Sequence, residues 1–240
     1  MSAGKPVAVF RFSDTEGPGH FATFLDARRV PWRLVKLDEG DAVPASSEGF
    51  AGLAFMGGPM SANDDLPWTA PVLELMRDAM RRAVPVIGHC LGGQMLARAA
   101  GGKVTANPVK EIGWNPVRVE DTPLARRWFG DDLAEFTTFQ WHGETFTIPP
   151  GAERILTGKH CPNQAYVMDD RHLGLQCHVE MTPEMIASWI ASGRSEVESH
   201  LASPAVQPVD EIEGEMSARL PALSGYADRL YARWVEGLKR

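Results

Sequence analysis

The feature that most constrains this chain is a cysteine between two glycines, at the point where a short apolar run passes into a helical pattern. The apolar run is Val84–Gly88, the cysteine is Cys90, and the helical pattern covers Leu91–Ala100. A turn this sharp strains the backbone of the cysteine and leaves no room for neighbouring side chains, so glycines are required at Gly88 and Gly92. The segment predicts a strand, a tight turn and a helix, with the cysteine at the turn.

The helix predicted after Cys90 directs its N-terminus at the thiol. Free N–H groups there favour a thiolate and can hold a developing oxyanion, and the N–H of Leu91 is the natural donor. Gly57-Gly58-Pro59 follows another apolar run, and a glycine-rich turn at the end of a strand can expose a second donor. The alternative for Cys90 is a buried cysteine in a glycine-rich turn. The alternative for Gly57-Gly58-Pro59 is an ordinary Gly-Pro turn.

A candidate base lies at the end of the strand-like run Leu173–His178, which is followed by Val179 and Glu180. Residues two apart on a strand face the same side. His178 could therefore meet Cys90 while Glu180 orients the imidazole, as in other arrangements of nucleophile, base and orienting group. The alternative is a solvated pair of polar residues at a strand end.

Short apolar runs alternate with longer helical segments in the first hundred residues, a pattern typical of βαβ units and a parallel sheet. The predicted strands there are Pro6–Phe10, Trp32–Leu37, Phe50–Met56 and Val84–Gly88, and the predicted helices are Pro18–Arg29, Val72–Arg82 and Leu91–Ala100. Further strands, in an antiparallel or mixed addition to the sheet, are predicted at Val117–Glu120, Glu135–His142, Glu153–Thr157, Ala165–Met168 and Leu173–His178. Helical patterns dominate from Thr182 onward. We expect a three-layer α/β fold: a mostly parallel, flavodoxin-like sheet with helices on both faces, an antiparallel strand addition and a helical C-terminal extension.

Composition argues against several classes of protein. Hydrophobic residues make up 44% of the 240 residues and charged residues 23%, as in an ordinary globular enzyme. A net charge of −7 argues against nucleic-acid binding, and no apolar stretch approaches the ~20 residues that a membrane helix needs. Three irregularly spaced cysteines, Cys90, Cys161 and Cys177, do not form a disulfide framework and favour a reducing, cytoplasmic setting.

Together these segments resemble the class I glutamine amidotransferase family. Its members carry a glycine-rich oxyanion turn, a Gly-x-Cys-x-Gly-x-Gln turn and a late Gln-x-His-x-Glu, which here are Gly57-Gly58-Pro59, Gly88–Gln94 and Gln176–Glu180. The branch it resembles contains stand-alone GMP-synthase-like amidotransferases and γ-glutamyl peptidases. The resemblance implies a single class I domain over residues 1–240, with a core at about 5–190 and C-terminal helices at about 183–240.

The resemblance also implies a mechanism through a thioester. Cys90 would attack the side-chain amide carbonyl of glutamine, His178 would take the thiol proton and later protonate the leaving ammonia, and Glu180 would orient His178. The N–H groups of Gly58 and Leu91 would hold the oxyanion. Four further residues match positions that line the glutamine pocket: Gln94, Trp141, His142 and Gly143. This chemistry needs no metal and no cofactor.

Four positions depart from the usual family pattern: His89, Gly93, Cys177 and Val179. Because the three proposed catalytic residues are intact, we expect these departures to bear on substrate preference more than on activity. His89 is a second possible base near the thiol; the alternative is a hydrogen-bonded side chain beside the turn.

Three functions remain open on this basis. The first is a free-standing hydrolase that acts on glutamine or a related γ-glutamyl compound, with a separate synthetase subunit as a possible partner. The second is a γ-glutamyl peptidase that releases a larger amine. The third is a binding or regulatory protein that keeps the fold without turnover. The sequence leaves the oligomeric state open.

Overall fold

The centre of the protein is a ten-stranded sheet, seen in a computed structural model that describes residues 4–239. Its strands are β1 (Val7–Arg11), β2 (Trp32–Lys36), β3 (Gly52–Phe55), β4 (Val86–His89), β5 (Val104–Val119), β6 (Glu135–Phe146), β7 (Ala152–Gly158), β8 (Ala165–Met168), β9 (His172–Leu175) and β10 (Ala205–Val206). The helices are α1 (Gly19–Ala27), α2 (Thr69–Arg81), α3 (Leu91–Ala99), α4 (Pro123–Phe129), α5 (Pro183–Ser199) and α6 (Val209–Glu236). None of the helices in this range combines the length and apolar character needed to cross a membrane.

Five of the strands form a parallel sheet in the order β2, β1, β3, β4, β9. Strands β8, β7 and β5 extend it in antiparallel fashion beyond β9, and β6 pairs with β5. The two-residue strand β10 lies parallel to β5 at the far edge. The prediction of a mostly parallel sheet with an antiparallel addition and a helical C-terminal segment is therefore confirmed.

Helices cover both faces of the sheet, as the three-layer prediction requires. Successive residues of β1 point to opposite sides, as they must in a strand. Val7 and Val9 pack in the apolar cluster that contains residues of α1, α5 and α6, whereas Ala8 and Phe10 pack in the cluster that contains residues of α2 and α3. A parallel strand buried on both faces is apolar throughout, which explains the unbroken apolar run in the sequence.

Strand β5 is much longer than the predicted Val117–Glu120, since it begins at Val104. Its early part contains Asn107 and Pro108, residues that are rare inside strands. The structure accommodates them in an irregularity of the pairing with β6, between Ala106 and Glu111. The prediction missed this part because the bulge removes the regular alternation on which it relied.

Two local differences affect the second half of the chain. Helix α4 was not predicted, although Thr122 caps it by accepting a hydrogen bond from the N–H of Ala125 at 3.2 Å and Pro123 occupies its first turn. Strand β9 ends at Leu175, earlier than the predicted His178. His178 still pairs with a neighbouring strand through an isolated bridge to Phe139.

Candidate active site

The carboxyl ends of the parallel strands meet at one edge of the sheet, the usual place for a ligand site in an open α/β fold. A cleft of about 720 Å³ opens there. The sequence-predicted residues that line it are Gly58, Cys90, Gln94, Trp141, His142, Gly143 and His178. The two remaining predicted residues, Leu91 and Glu180, lie behind this lining and are 1% exposed.

Cys90 adopts the strained backbone that its glycine neighbours predict. Its φ of 45° and ψ of −104° lie at the junction of β4 and α3. A side chain at Gly88 would overlap the backbone of Gly92, and a side chain at Gly92 would overlap the carbonyl of Phe55. The cysteine is therefore held in a sparsely populated conformation by close packing on both sides, as observed at many functional sites.

His178 and Glu180 form a buried pair beside Cys90. The Nδ1–H of His178 donates to Glu180 Oε1 at 2.6 Å, and both side chains are 1% exposed. Burial alone would lower the pKa of His178, but the Glu180 carboxylate and Cys90 raise it well above its ordinary value. Burial would raise the pKa of Glu180, but His178 holds it at about 2. The pair is therefore charged at neutral pH.

The other ring nitrogen of His178, Nε2, is buried and has no hydrogen-bond partner among residues 4–239. His178 and Cys90 line the same cleft. Catalytic hydrogen bonds are often long or poorly aligned until substrate is bound. Nε2 is thus free to exchange a proton with Cys90 or with a substrate atom in the cleft.

His89 lies behind this pair and does not face the cleft. Its Nε2 is 3.1 Å from the hydroxyl of Tyr231 on α6 and 4.0 Å from Glu180 Oε2. Burial lowers the pKa of His89, which keeps the ring neutral. Of the two interpretations of the sequence, the structure supports the hydrogen-bonded side chain beside the turn and not a second base.

Two glutamine side chains form a relay to the sulfur of Cys90. Gln94 Nε2 donates to Gln176 Oε1 at 3.1 Å, and Gln176 Nε2 lies 3.5 Å from Cys90 Sγ. All three side chains are buried. The relay fixes the position of the sulfur relative to the first turn of α3.

The predicted oxyanion donors are the backbone N–H groups of Gly58 and Leu91. Within the part of the chain that the structure describes, neither the N–H of Gly58 nor that of Leu91 donates a hydrogen bond to another backbone group. Leu91 is the first residue of α3, where N–H groups have no intrahelical partner. Gly58 packs against Leu91, since a methyl group built on Gly58 would be 2.7 Å from Leu91 Cδ2.

The cluster of possible metal ligands among residues 4–239 consists of Glu111, His142 and Cys161, whose ligand atoms lie within 4.8 Å of one another. Their hydrogen bonds argue for a structural role. Glu111 Oε2 accepts from His142 Nε2 at 2.9 Å and from Gln164 Nε2 at 2.8 Å, and His142 Nδ1 lies 2.9 Å from the carbonyl of Glu144. Both ring nitrogens of His142 are therefore engaged in holding the cleft wall.

The other two cysteines have no access to the cleft. Cys161 and Cys177 are fully buried free thiols. Burial raises the pKa of Cys161 to about 11 and raises that of Cys177 further. Neutral, enclosed thiols of this kind are inert.

Sequence reasoning missed several residues of the cleft, and two of them lie close to the buried pair. Trp189 stands edge-on to His178 with the ring centroids 4.7 Å apart, and it also lines the cleft. Glu16 follows β1 and lines the cleft as well. Its position just beyond the carboxyl end of a parallel strand was the available signal.

The fold and the site together define an α/β protein with a strained cysteine at a strand-to-helix turn and a buried histidine–carboxylate pair beside it. A family model described as Glutamine amidotransferase class-I matches residues 22–190, and the chain belongs to this family.

Similar proteins agree with this assignment. The glutamine amidotransferase-like protein YfeJ of Salmonella typhimurium is 26% identical over 187 residues, covering 76% of this chain and 78% of that protein. The GMP synthase [glutamine-hydrolyzing] of Lacticaseibacillus casei is 32% identical over 132 residues, which are 54% of this chain and only 24% of that protein. A glutamine amido transferase from Methylobacillus flagellatus has a crystal structure that matches with a TM-score of 0.95 and 48% identity, covering 98% of this chain and 96% of that one. Family membership and these names support the hydrolysis of glutamine amides as the general chemistry.

Proposed function

We propose that this chain hydrolyses the γ-glutamyl amide bond of glutamine, or of a related small γ-glutamyl compound, through a thioester on Cys90. The observation that carries the proposal is the buried pair of His178 and Glu180, with Nδ1 and Oε1 2.6 Å apart, beside a cysteine held at a φ of 45°. A nucleophile, a base and a group that orients the base are the parts that acyl transfer requires.

In the proposed reaction, the proton of the Cys90 thiol has passed to Nε2 of His178, and the resulting thiolate attacks the γ-carbonyl carbon. The N–H groups of Gly58 and Leu91 stabilise the oxyanion. His178 gives the Nε2 proton to the amide nitrogen, and the C–N bond breaks with its electron pair on nitrogen. Water then attacks the thioester while His178 takes a proton from it. The C–S bond breaks, glutamate leaves, and Cys90 and His178 return to their starting states.

The size of the cleft favours a second candidate, a γ-glutamyl peptidase, as an extension of the same chemistry. Glutamine has ten non-hydrogen atoms, and at about 30 Å³ each, the share of a water molecule in liquid water, they would fill about 300 Å³. The cleft measures about 720 Å³. A leaving group larger than ammonia therefore fits beside the γ-glutamyl group.

A separate synthetase subunit is the proposed partner if ammonia is the product in the cell. The chain matches about a quarter of the length of the GMP synthase from Lacticaseibacillus casei. Such a partner would supply the nucleotide chemistry that this chain shows no motif for. The proposed setting is the reducing cytoplasm, which suits three free thiols.

Replacement of Cys90 by alanine tests the proposed function. We expect Cys90→Ala to lower the hydrolysis of glutamine and of γ-glutamyl anilides by more than about 10³-fold, because the covalent intermediate is lost. The unfolding midpoint should stay close to that of the wild type. Cys161→Ala, which removes a buried thiol outside the cleft, is the matched control and should retain activity.

Intact-mass measurement after treatment with a glutamine-like chloroketone separates the enzyme from a non-catalytic homologue. The wild type and Cys161→Ala should each take up one equivalent, and Cys90→Ala none. Normal turnover by Cys90→Ala would contradict the mechanism. An unlabelled, inactive wild type would favour a binding protein, and hydrolysis of glutamine alone would exclude the peptidase.

A further inference from the structure

Glu16 is a buried carboxylate in the cleft that the proposed mechanism leaves without a role. It lies in the loop between β1 and α1 and is 9% exposed. Among residues 4–239 its side chain makes no hydrogen bond and no ion pair, although it borders the same cleft as Cys90 and His178. Its oxygens are not among the enclosed polar atoms that lack a partner, so they reach the surface of the cleft. A group bound in the cleft can therefore contact this carboxylate.

The loop that carries Glu16 is fixed to the segment that carries the proposed base. The N–H of His20 donates to the carbonyl of Glu180 at 2.8 Å. On the other side, the indole N–H of Trp189 donates to the carbonyl of Thr15 at 2.9 Å. The carboxylate is thus held in place by both flanks of its loop, as a residue that contacts substrate must be.

The close approach of the Glu16 loop to the backbone of Glu180 depends on a glycine, Gly19. Gly19 has a φ of 48°, and a side chain there would overlap the carbonyl oxygen of Glu180. Any other residue would push the loop, and Glu16 with it, away from the base. The spacing between the loop and Glu180 is therefore set by the backbone.

Glu16 faces the same small space as the ring of His178. A methyl group built on Gly57 would lie 2.6 Å from Glu16 Oε2 and 3.3 Å from His178 Cε1. In the proposed reaction His178 protonates the scissile nitrogen, so that nitrogen must sit beside the imidazole. In that reaction the leaving group would pass on the side of the ring that faces the carboxylate.

We propose that Glu16 is a catalytic residue that accepts a hydrogen bond from the N–H of the scissile amide and keeps it as the amine departs. The inference rests on the proposed function. The amine receives its new proton from His178, and the electron pair of the broken C–N bond stays on its nitrogen. Glu16 gains and loses no proton in this step; it orients the nitrogen toward His178 and holds the neutral amine.

The charges around Glu16 give this role a dependence on pH. Burial raises the pKa of Glu16 to about 7, while His178 opposes and Glu180 adds to the increase. These two are the charged groups that act on it within the described residues. An ionised carboxylate accepts a stronger hydrogen bond than a neutral one. The preference for amides should therefore increase as pH rises through about 7.

Two substrates that differ only at the scissile atom test the inference. Glutamate γ-methylamide carries the N–H, whereas glutamate γ-methyl ester has an oxygen in its place. We expect Glu16→Gln to lower kcat/KM for the amide by about tenfold to a hundredfold, the usual range for a hydrogen bond to a charged group, and to leave the ester nearly unchanged. The ratio of the two values does not depend on how much of a variant is folded.

Two further variants sharpen the experiment. Asp14→Asn removes a charge from the same loop at an exposed position and should keep the wild-type ratio at every pH. Glu16→Asp keeps the carboxylate on a shorter chain and should lie between the wild type and Glu16→Gln. The wild-type ratio of amide to ester hydrolysis should rise through about pH 7, and that rise should be absent in Glu16→Gln.

The outcomes distinguish this inference from the proposed function. If the wild type hydrolyses both compounds and Glu16→Gln slows them equally, Glu16 binds a part of the substrate common to both, such as the α-ammonium group, and the inference is wrong. An unchanged ratio with unchanged rates also overturns it. If the wild type hydrolyses neither of these compounds nor glutamine, the proposed function itself is lost and the inference with it.

Discussion

Replacing Glu180 by glutamine keeps the size of a buried side chain and removes its charge. Burial would raise the pKa of Glu180, but the charged His178 holds it at about 2 instead of 4.5. Each pKa unit corresponds to about 1.4 kcal/mol, so the ionised carboxylate stabilises the folded chain by about 3 kcal/mol. Removing one partner of a buried ion pair generally lowers the free energy of unfolding by about 3–5 kcal/mol, a range that includes this value. We expect Glu180→Gln to lower the free energy of unfolding by about 3 kcal/mol near neutral pH.

The difference in unfolding free energy between the wild type and Glu180→Gln should become smaller at both low and high pH. Because the folded-state pKa of Glu180 is depressed, its contribution is present above 4.5 and is lost as the pH falls toward 2. Burial opposes a charge on His178, but Glu180 and Cys90 raise its folded-state pKa above 6.5, so its contribution is present below 6.5 and is lost as the pH rises through the folded value. The gap between the wild type and the variant should be widest between 4.5 and 6.5.

Urea unfolding below, within and above that interval measures the gap directly. Glu213→Gln, at an exposed position of α6, is the control for removal of a surface charge and should track the wild type. A variant as stable as the wild type inside the interval, or a gap of constant size at every pH, would show that Glu180 and His178 are not a charged pair in the folded chain.

Two further predictions concern groups packed around the site. Gly93→Ala should lower the free energy of unfolding by about 1–3 kcal/mol, because its side chain would overlap the carbonyl of Leu175. In contrast, a side chain at Gly214 in α6 meets nothing within 4 Å, so Gly214→Ala should raise the free energy of unfolding by about 1 kcal/mol. Urea unfolding of both variants tests these predictions, and equal changes in their unfolding free energies would contradict them. Tyr231→Phe leaves the Nε2 of His89 without its 3.1 Å partner and should cost about 1–3 kcal/mol in the same assay. An unchanged unfolding curve would refute that role.

The parts of the fold and the site that the sequence predicts are those governed by neighbouring residues. The turn at Cys90 requires Gly88 and Gly92, and the structure shows the overlaps that any side chain there would create. The parallel strands are short apolar runs because both of their faces are buried. The pairing of His178 with Glu180 follows from their spacing of two, and it holds although β9 ends before either residue.

The parts that the sequence did not predict depend on residues far apart in the chain. The early half of β5 is a strand because β6 pairs with it around an irregularity, and its own composition argues against one. Trp189 belongs to the site because α5 brings it against His178. Glu16 is 162 positions from His178 in sequence, and only the folded sheet places both at one edge.

The departures from the family pattern take on a different meaning once their positions are known. His89 lies behind Glu180, Gly93 packs against Leu175, and Cys177 is fully buried. None of these three lines the cleft, so an effect on substrate preference would have to reach the cleft through the residues in front of them. A residue that does line the cleft, such as Glu16, can discriminate between substrates directly. We therefore expect substitutions on the leaving-group side of the cleft to change substrate preference. Substitutions at His89, Gly93 and Cys177 should change the free energy of unfolding before they change selectivity.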